Sequence, residues 1–388
     1  MKFSTQIIHN PYKVDPYTGA CSTPIYQAST YHQFDVDQPG PYDYARSGNP
    51  TRHALEETIA LLEGGCRGFA FSSGMAAIST VFLLLSSGDH VVISEDVYGG
   101  THRIVTQVLS RLGISATFVD TTDINAVEEA IKPNTKAIYV ETPSNPLLKV
   151  TDLGKIEEIA KQSKLLFIVD NTFLTPYYQR PIQFGADIVI HSATKFIAGH
   201  SDVIAGLVVA KNEELAEKIG FLQNSFGAIL GVQDSWLVLR GLKTLKVRLD
   251  SATNGAKIIA NWLKEQSYVK EVYYTGLPTH QGHDIQNKQV TGHGAVLSFD
   301  VGNASMAKKI MKRVKIPAVA VSLGSVESIL SYPALMSHAA MPEEERRKRG
   351  IHDGLLRLSV GLEDPHDLIE DLEQAMLPRL VSSRALYE

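Results

Sequence analysis

Between Asp187 and Ser201 a single lysine stands just past an apolar run and just before a glycine turn. Asp187-Ile-Val-Ile-His191 is short and rich in Ile and Val, which predicts a buried strand ending near His191. Ser192, Thr194, Lys195, Phe196, Gly199 and His200 follow. An amine in that place lies where open α/β sheets hold their ligands. Partial burial lowers a lysine's pKa, so it can attack a carbonyl to form a Schiff base and carry protons. Ser192 and Thr194 flank it with hydroxyls able to donate to a phosphate. Asp170 closes the apolar pattern 165–169, which points its carboxylate into the same crevice. Ser72-Ser73-Gly74-Met75 follows the pattern 68–71 and opens a helix. Amides at such a terminus bind phosphate, and glycine permits close approach. Tyr98 follows the next strand, with a ring that can stack on a flat ligand and a hydroxyl that can join proton transfer. Arg46, two residues after Tyr44, carries a planar fork suited to phosphate. Arg357 interrupts an apolar strand pattern, and a buried guanidinium needs an anionic partner such as a carboxylate.

These residues hang on a repeating frame. Strand patterns at 68–71, 90–94, 136–140, 165–169, 187–190 and 205–209 alternate with helical patterns at 51–62, 75–85, 102–112, 124–131, 153–161 and 212–221. Such alternation predicts an α/β fold, a mostly parallel sheet with helices on both faces. From about 244 the pattern changes to one long helix, 245–266, then strands at 269–274, 294–301 and 355–360 and a helix at 305–314. That reads as a smaller α+β unit. Residues 1–47 are rich in turn residues and have little periodicity, so they must lie against something else, such as another subunit. The expected division is an arm at 1–47, an α/β domain at 48–243 and a C-terminal domain at 244–388. The charge run Glu343–Arg349 is expected to be a solvated helix face with i,i+3 and i,i+4 pairs.

The bulk numbers narrow the function. The chain has 388 residues, 44% hydrophobic and 20% charged, with a net charge of −5. That balance argues against a nucleic-acid surface. The most apolar stretch, Ile78–Leu85, is too short for a bilayer, and no apolar leader opens the chain, so no membrane role is expected. Two cysteines, Cys21 and Cys66, lack metal-ligand spacing and suit a reducing cytoplasm. Thirteen histidines are scattered, and no metal is expected.

The whole spacing around Lys195 resembles the pyridoxal-phosphate attachment segment of the Cys/Met-metabolism enzymes, the family of cystathionine γ-synthases, cystathionine β- and γ-lyases and methionine γ-lyases. The resemblance runs from the Tyr44 segment to the Arg357 segment. It implies a fold-type I PLP-dependent transferase-like architecture, with a seven-stranded sheet domain, a smaller C-terminal domain and an extended N-terminal arm. It implies pyridoxal 5'-phosphate as cofactor, attached at Lys195, with Asp170 at the ring nitrogen and Tyr98 stacked on the ring. It assigns phosphate contacts to Gly74 and Met75, and to Tyr44 and Arg46 reaching from a neighbouring subunit, and Ser72, Ser192 and Thr194 join the expected cofactor-binding set. Arg357 would bind the substrate carboxylate, with Asn145 and Ser322 lining the pocket. The partners implied are a small amino-acid substrate and copies of this chain, as a homotetramer built from two active dimers.

The same resemblance implies a carbon–sulfur lyase. Val321 stands where many family γ-synthases and γ-lyases carry a glutamate, and Gly100 where methionine γ-lyases carry a cysteine. Both lean towards β-cleavage of cystathionine, a step towards methionine. Cystathionine γ-lyase, γ-synthase and methionine γ-lyase are the alternatives within the family. A non-catalytic binding or regulatory module is the alternative outside it, and the retained Lys195, Asp170, Tyr98 and Arg357 speak against that.

Overall fold

The structure, a computed structural model, describes residues 1–9, 14–339, 341 and 343–377. Seven strands form the larger sheet: β1 (Arg67–Phe71), β2 (His90–Ser94), β3 (Ser115–Val119), β4 (Thr135–Glu141), β5 (Leu166–Asp170), β6 (Ile188–Ser192) and β7 (Gly206–Ala210). Their order is β1-β7-β6-β5-β4-β2-β3. The run from β3 to β6 is parallel, and β7 is antiparallel to both neighbours. The inner strands are apolar along their whole length because helices cover both faces. One face packs Phe71, Ile93, Tyr139, Ile168 and Ile190 beneath helix Gly74–Phe82. The other packs Val92, Ile138, Val140 and Phe167 against helix Leu153–Ser163.

A second sheet holds β8 (Glu271–Tyr273), β9 (Val296–Asp300), β10 (Ala318–Val319), β11 (Ile329–Ser331) and β12 (Leu355–Ser359), in the order β10-β11-β12-β9-β8. Its core joins Leu297, Phe299 and Leu358 to the helices Leu245–Lys264, Ala304–Arg313 and Pro365–Met376. No described helix is long and apolar enough to cross a membrane.

Among its described residues the N-terminal arm holds no strand, only an isolated antiparallel bridge between Thr30 and Tyr44. Its later half is tied to the start of helix Pro50–Glu63 by side chains of that helix. Thr51 Oγ1 donates to Pro24 O, Asn49 Nδ2 to Tyr26 O, and Arg52 donates to the carbonyls of Ala45 and Arg46. Arg52 thereby pins the main chain of the Tyr44–Arg46 segment while both named side chains stay outside. Helix Glu343–Lys348 carries the expected i,i+4 pairs, such as Arg347–Glu343 and Lys348–Glu344. The helix is not wholly solvated, however. Arg346 is buried, because Asp353 lies within 2.8 Å to receive it.

Candidate active site

Lys195 stands three residues past the end of β6, and the turn that carries it is held from three sides. Its Nζ donates to Ser322 Oγ at 2.7 Å. Gly324, with φ +81°, lets the 321–325 loop lie directly against the lysine; a Cβ there would come within 2.6 Å of Phe196 N. Arg248, buried on helix Leu245–Lys264, donates to Phe196 O at 2.7 Å, Ile197 O at 3.2 Å and Gly241 O at 2.7 Å. Burial lowers the Lys195 pKa to about 8, and the nearby charge of Arg357 pushes the same way. A substantial fraction of this amine is therefore neutral near pH 7 to 8, as a nucleophile requires.

Arg357 projects from the middle of β12 and is buried. Nη1 donates to Asn145 Oδ1 at 2.8 Å; Nη2 donates to Ser322 O at 2.6 Å and Ser331 Oγ at 3.2 Å. All three acceptors are neutral, and its Nε has no partner. A buried cation whose partners are all neutral retains its need for an anion. Burial lowers its pKa to about 10, which leaves it charged at neutral pH. Ser322 joins the two cations, and it does so with φ +97°, a left-handed conformation unfavourable for a serine.

Asp170 ends β5, one strand from the lysine's. Its Oδ1 accepts from Thr172 N at 3.0 Å and Thr172 Oγ1 at 2.6 Å; Oδ2 accepts from Tyr139 O–H at 3.2 Å. Burial raises the pKa of its carboxyl, and the Thr172 bonds oppose that by favouring the ionised form. Tyr98 precedes helix Gly99–Gln107 with its side chain half exposed, and its N–H donates to Glu141 Oε2 at 2.8 Å.

The Ser72–Met75 turn lies between β1 and helix Gly74–Phe82. Ser73 caps the helix by accepting from Ala76 N at 3.0 Å. The amides of Gly74 and Met75 precede the helical ladder and remain as anion donors. A Cβ on Gly74 would sit 3.0 Å from Ser192 Cβ and Oγ, so the glycine lets this turn meet the start of the lysine segment. A cradle of amides beside serine hydroxyls fits a phosphate. Thr194 Oγ1 is occupied by the backbone of Ala205, at 3.0 Å from its N–H and 3.3 Å from its carbonyl. Val321 is 64% exposed and lines a cavity of about 610 Å³ with Thr194, Asp202, Ile204, Ser322 and Glu327.

Bonds therefore link Lys195, Ser322, Arg357 and Asn145 into one constellation, and Asp170 lies on β5, next to the strand that leads to Lys195. Tyr44 and Arg46 stand apart. Arg46 lies 5.5 Å from the Tyr44 ring centroid in a cation–π contact, and both belong to the arm. Among the described residues no group of side chains could hold a metal ion.

The reading of the sequence passed over Arg248, Thr172, Tyr139, Ser331 and Glu141. Glu141 could have been found by the rule that singled out Asp170, a carboxylate closing an apolar strand. Thr172 had the Asp-x-Thr spacing of a side-chain turn as its signal. Arg248 lies 53 positions from the lysine it serves, and only the fold brings them together.

The Cys/Met metabolism PLP-dependent enzyme family model matches residues 4–377. The chain belongs to this family. It is 61% identical over 372 residues to the cystathionine beta-lyase MetC of Bacillus subtilis, covering 96% of this chain and 95% of that one. It is 53% identical to the cystathionine gamma-lyase of the same organism, covering 97% and 99%. The crystal structure of cystathionine gamma-lyase from Lactobacillus plantarum, complexed with L-serine, superposes with a TM-score of 0.94 at 49% identity, covering 97% and 98%. The fold is thus that of PLP-dependent cystathionine enzymes, and the cofactor is pyridoxal phosphate.

Proposed function

We propose that the chain is a PLP-dependent carbon–sulfur lyase that converts L-cystathionine and water to L-homocysteine, pyruvate and ammonia, on the path to methionine. The observation that carries the reading is the Val321–Ser322 pair. Ser322 accepts from the reactive amine and from the carboxylate-binding guanidinium, and its neighbour Val321 brings an uncharged, apolar side chain to the cavity that Ser322 also lines. The 61% identity to a cystathionine beta-lyase supports it.

When bound, pyridoxal phosphate supplies an electrophilic carbon and an electron sink for charge developing at the substrate Cα. Lys195 would attach it and, once released, take the proton from Cα. Ser322 Oγ aims the lysine amine while it waits. Arg357, aligned by Asn145 and Ser331, would take the substrate's α-carboxylate through its planar fork. Asp170, kept ionised by Thr172, would hold the proton on the ring nitrogen, with Tyr98 against the ring face. The amides of Gly74 and Met75, with Ser72 and Ser192, would take the phosphate. Thr194 is a weaker candidate, because its hydroxyl already serves Ala205.

The division of the chain at about 47 and 243 belongs to the same proposal. So does a homotetramer of two active dimers working in the cytoplasm. In it the arm carries Tyr44 and Arg46 to the partner's phosphate site. The arm's lack of a core and the exposed Tyr17, Phe34 and Val36 support a second copy as its resting place. Mixing Arg46→Ala with Lys195→Ala subunits should restore some activity, since one hybrid site then receives both native residues. No recovery in verified mixed oligomers would return Arg46 to its own subunit.

Identifying the keto acid formed from cystathionine tests the bond cleaved. Pyruvate is expected; 2-oxobutyrate as main product would move the chain to γ-cleavage. That second reading has its own support in the 53% identity to a gamma-lyase. Val321→Glu should shift product towards 2-oxobutyrate by about tenfold, the worth of one charge-assisted contact to a distal ammonium.

A further inference from the structure

Glu141 is a buried carboxyl to which the proposed reaction gives no role. It closes β4, directly opposite Asp170 of β5 in the strand register. Its main-chain N–H donates to Ser94 Oγ at 3.3 Å, and its Oε2 accepts the N–H of Tyr98 at 2.8 Å. Tyr98 needs that acceptor. It caps helix Gly99–Gln107 without a side-chain capping bond of its own, and its side chain is half exposed. Arg357 is the cation nearest in role, yet its donors go to Asn145, Ser322 and Ser331 rather than to this carboxyl.

We propose that Glu141 is a positioning residue that works as a neutral carboxylic acid, holding the Tyr98 main chain so that the phenol ring keeps its place over the cofactor. Two buried carboxyls facing each other across adjacent strands cannot both carry charge cheaply. Asp170 has three donors to favour its anion, and Glu141 has one neutral amide. Burial, then Asp170 and Asp96, push the Glu141 pKa well up; the Tyr98 amide and the charge of Arg357 oppose this. The proton therefore rests on Glu141, and the anion stays on Asp170. The inference depends on the reading of Tyr98 as the ring-stacking residue.

Two variants of the holoenzyme test it. Glu141→Gln keeps an oxygen acceptor and stays neutral. It should leave cofactor Kd and turnover within about threefold of wild type, because an amide preserves the bond. Glu141→Ala should speed deuterium uptake at the Tyr98 amide. It should also raise the cofactor Kd about tenfold, the loss expected when a buried donor goes unsatisfied. The infrared difference between wild type and Glu141→Gln decides the charge state even if the alanine variant does not fold. A neutral-acid carbonyl stretch is expected, and carboxylate stretches would overturn the proposal. So would a glutamine variant as impaired as the alanine one, or unchanged exchange at Tyr98 in Glu141→Ala. Tyr98→Ala separates the underlying reading: an unchanged cofactor Kd there would remove Tyr98 from the ring, whatever Glu141 does.

Discussion

Lys149 and Lys195 both stand on loops that follow parallel strands of the same sheet, and their surroundings push them in opposite directions. Lys149 lies 2.8 Å from Glu95, 2.8 Å from Asp120 and 3.6 Å from Asp96. Burial alone would lower its pKa, but Asp96, then Asp120 and Glu95, outweigh burial and raise it. Lys195 has a hydroxyl as its partner and a guanidinium as its charged neighbour, so burial wins and its pKa falls to about 8. Position after a strand does not make a lysine reactive. The lack of a carboxylate does, since a carboxylate would fix the proton on the amine. The two regions divide the labour: one lysine is held as a charged cation among carboxylates, and the other keeps the readily neutralised amine that the proposed reaction needs as its nucleophile.

The largest effect should follow removal of the second. Lys195→Ala should cut turnover by more than about a hundredfold, the lower range for a general acid/base group, while thermal unfolding shows an intact fold. Retained activity would dissolve the contrast. Next comes the pH profile of cofactor attachment to the cofactor-free protein. Only the neutral amine attacks, so the rate should climb as pH rises towards about 8 and level off above it, following the Lys195 pKa. A rate that keeps climbing to the usual lysine range would show an ordinary, solvated amine.

Lys149→Met should act on stability rather than chemistry. It strands Glu95, Asp96 and Asp120 together, which should cost about 1–3 kcal/mol at pH 7 for a partly solvated cluster. The Asp96 carboxyl is already raised to about 6 by burial, with Lys149 holding it down. Without Lys149 it takes up its proton already above pH 6, so the loss should shrink as pH falls from alkaline values towards about 6. Denaturant unfolding at two pH values checks the sign.

Much of this was legible beforehand, for reasons that differ by element. The inner strands β2, β4, β5 and β6 announced themselves because burial on both faces demands unbroken apolar runs. β3 did not: it lies at the sheet edge and is only half buried, so Ser115-Ala-Thr-Phe-Val119 mixes polar and apolar residues. β10 has two exposed residues and carries no pattern at all. Helix Val232–Leu242 was also missed, lying between two expected elements, and helix Pro365–Met376 was missed despite its Asp364-Pro365 start signal. In the site, Lys195, Asp170 and Arg357 could be singled out because each is a charge set in or at the end of an apolar run. Their supports Arg248 and Ser331 could not, because they reach the site only once the two sheets are in place, and Asn145 was named only by resemblance. Ser322 was named by resemblance, but its left-handed backbone and its double role were visible only in the fold.

The contrast between the two lysines has one direct test. Borohydride reduction of the holoenzyme, followed by peptide mapping, should place the cofactor's mass on the peptide that carries Lys195 and leave the Lys149 peptide unmodified. The mass on Lys149, or spread over several lysines, would contradict the account.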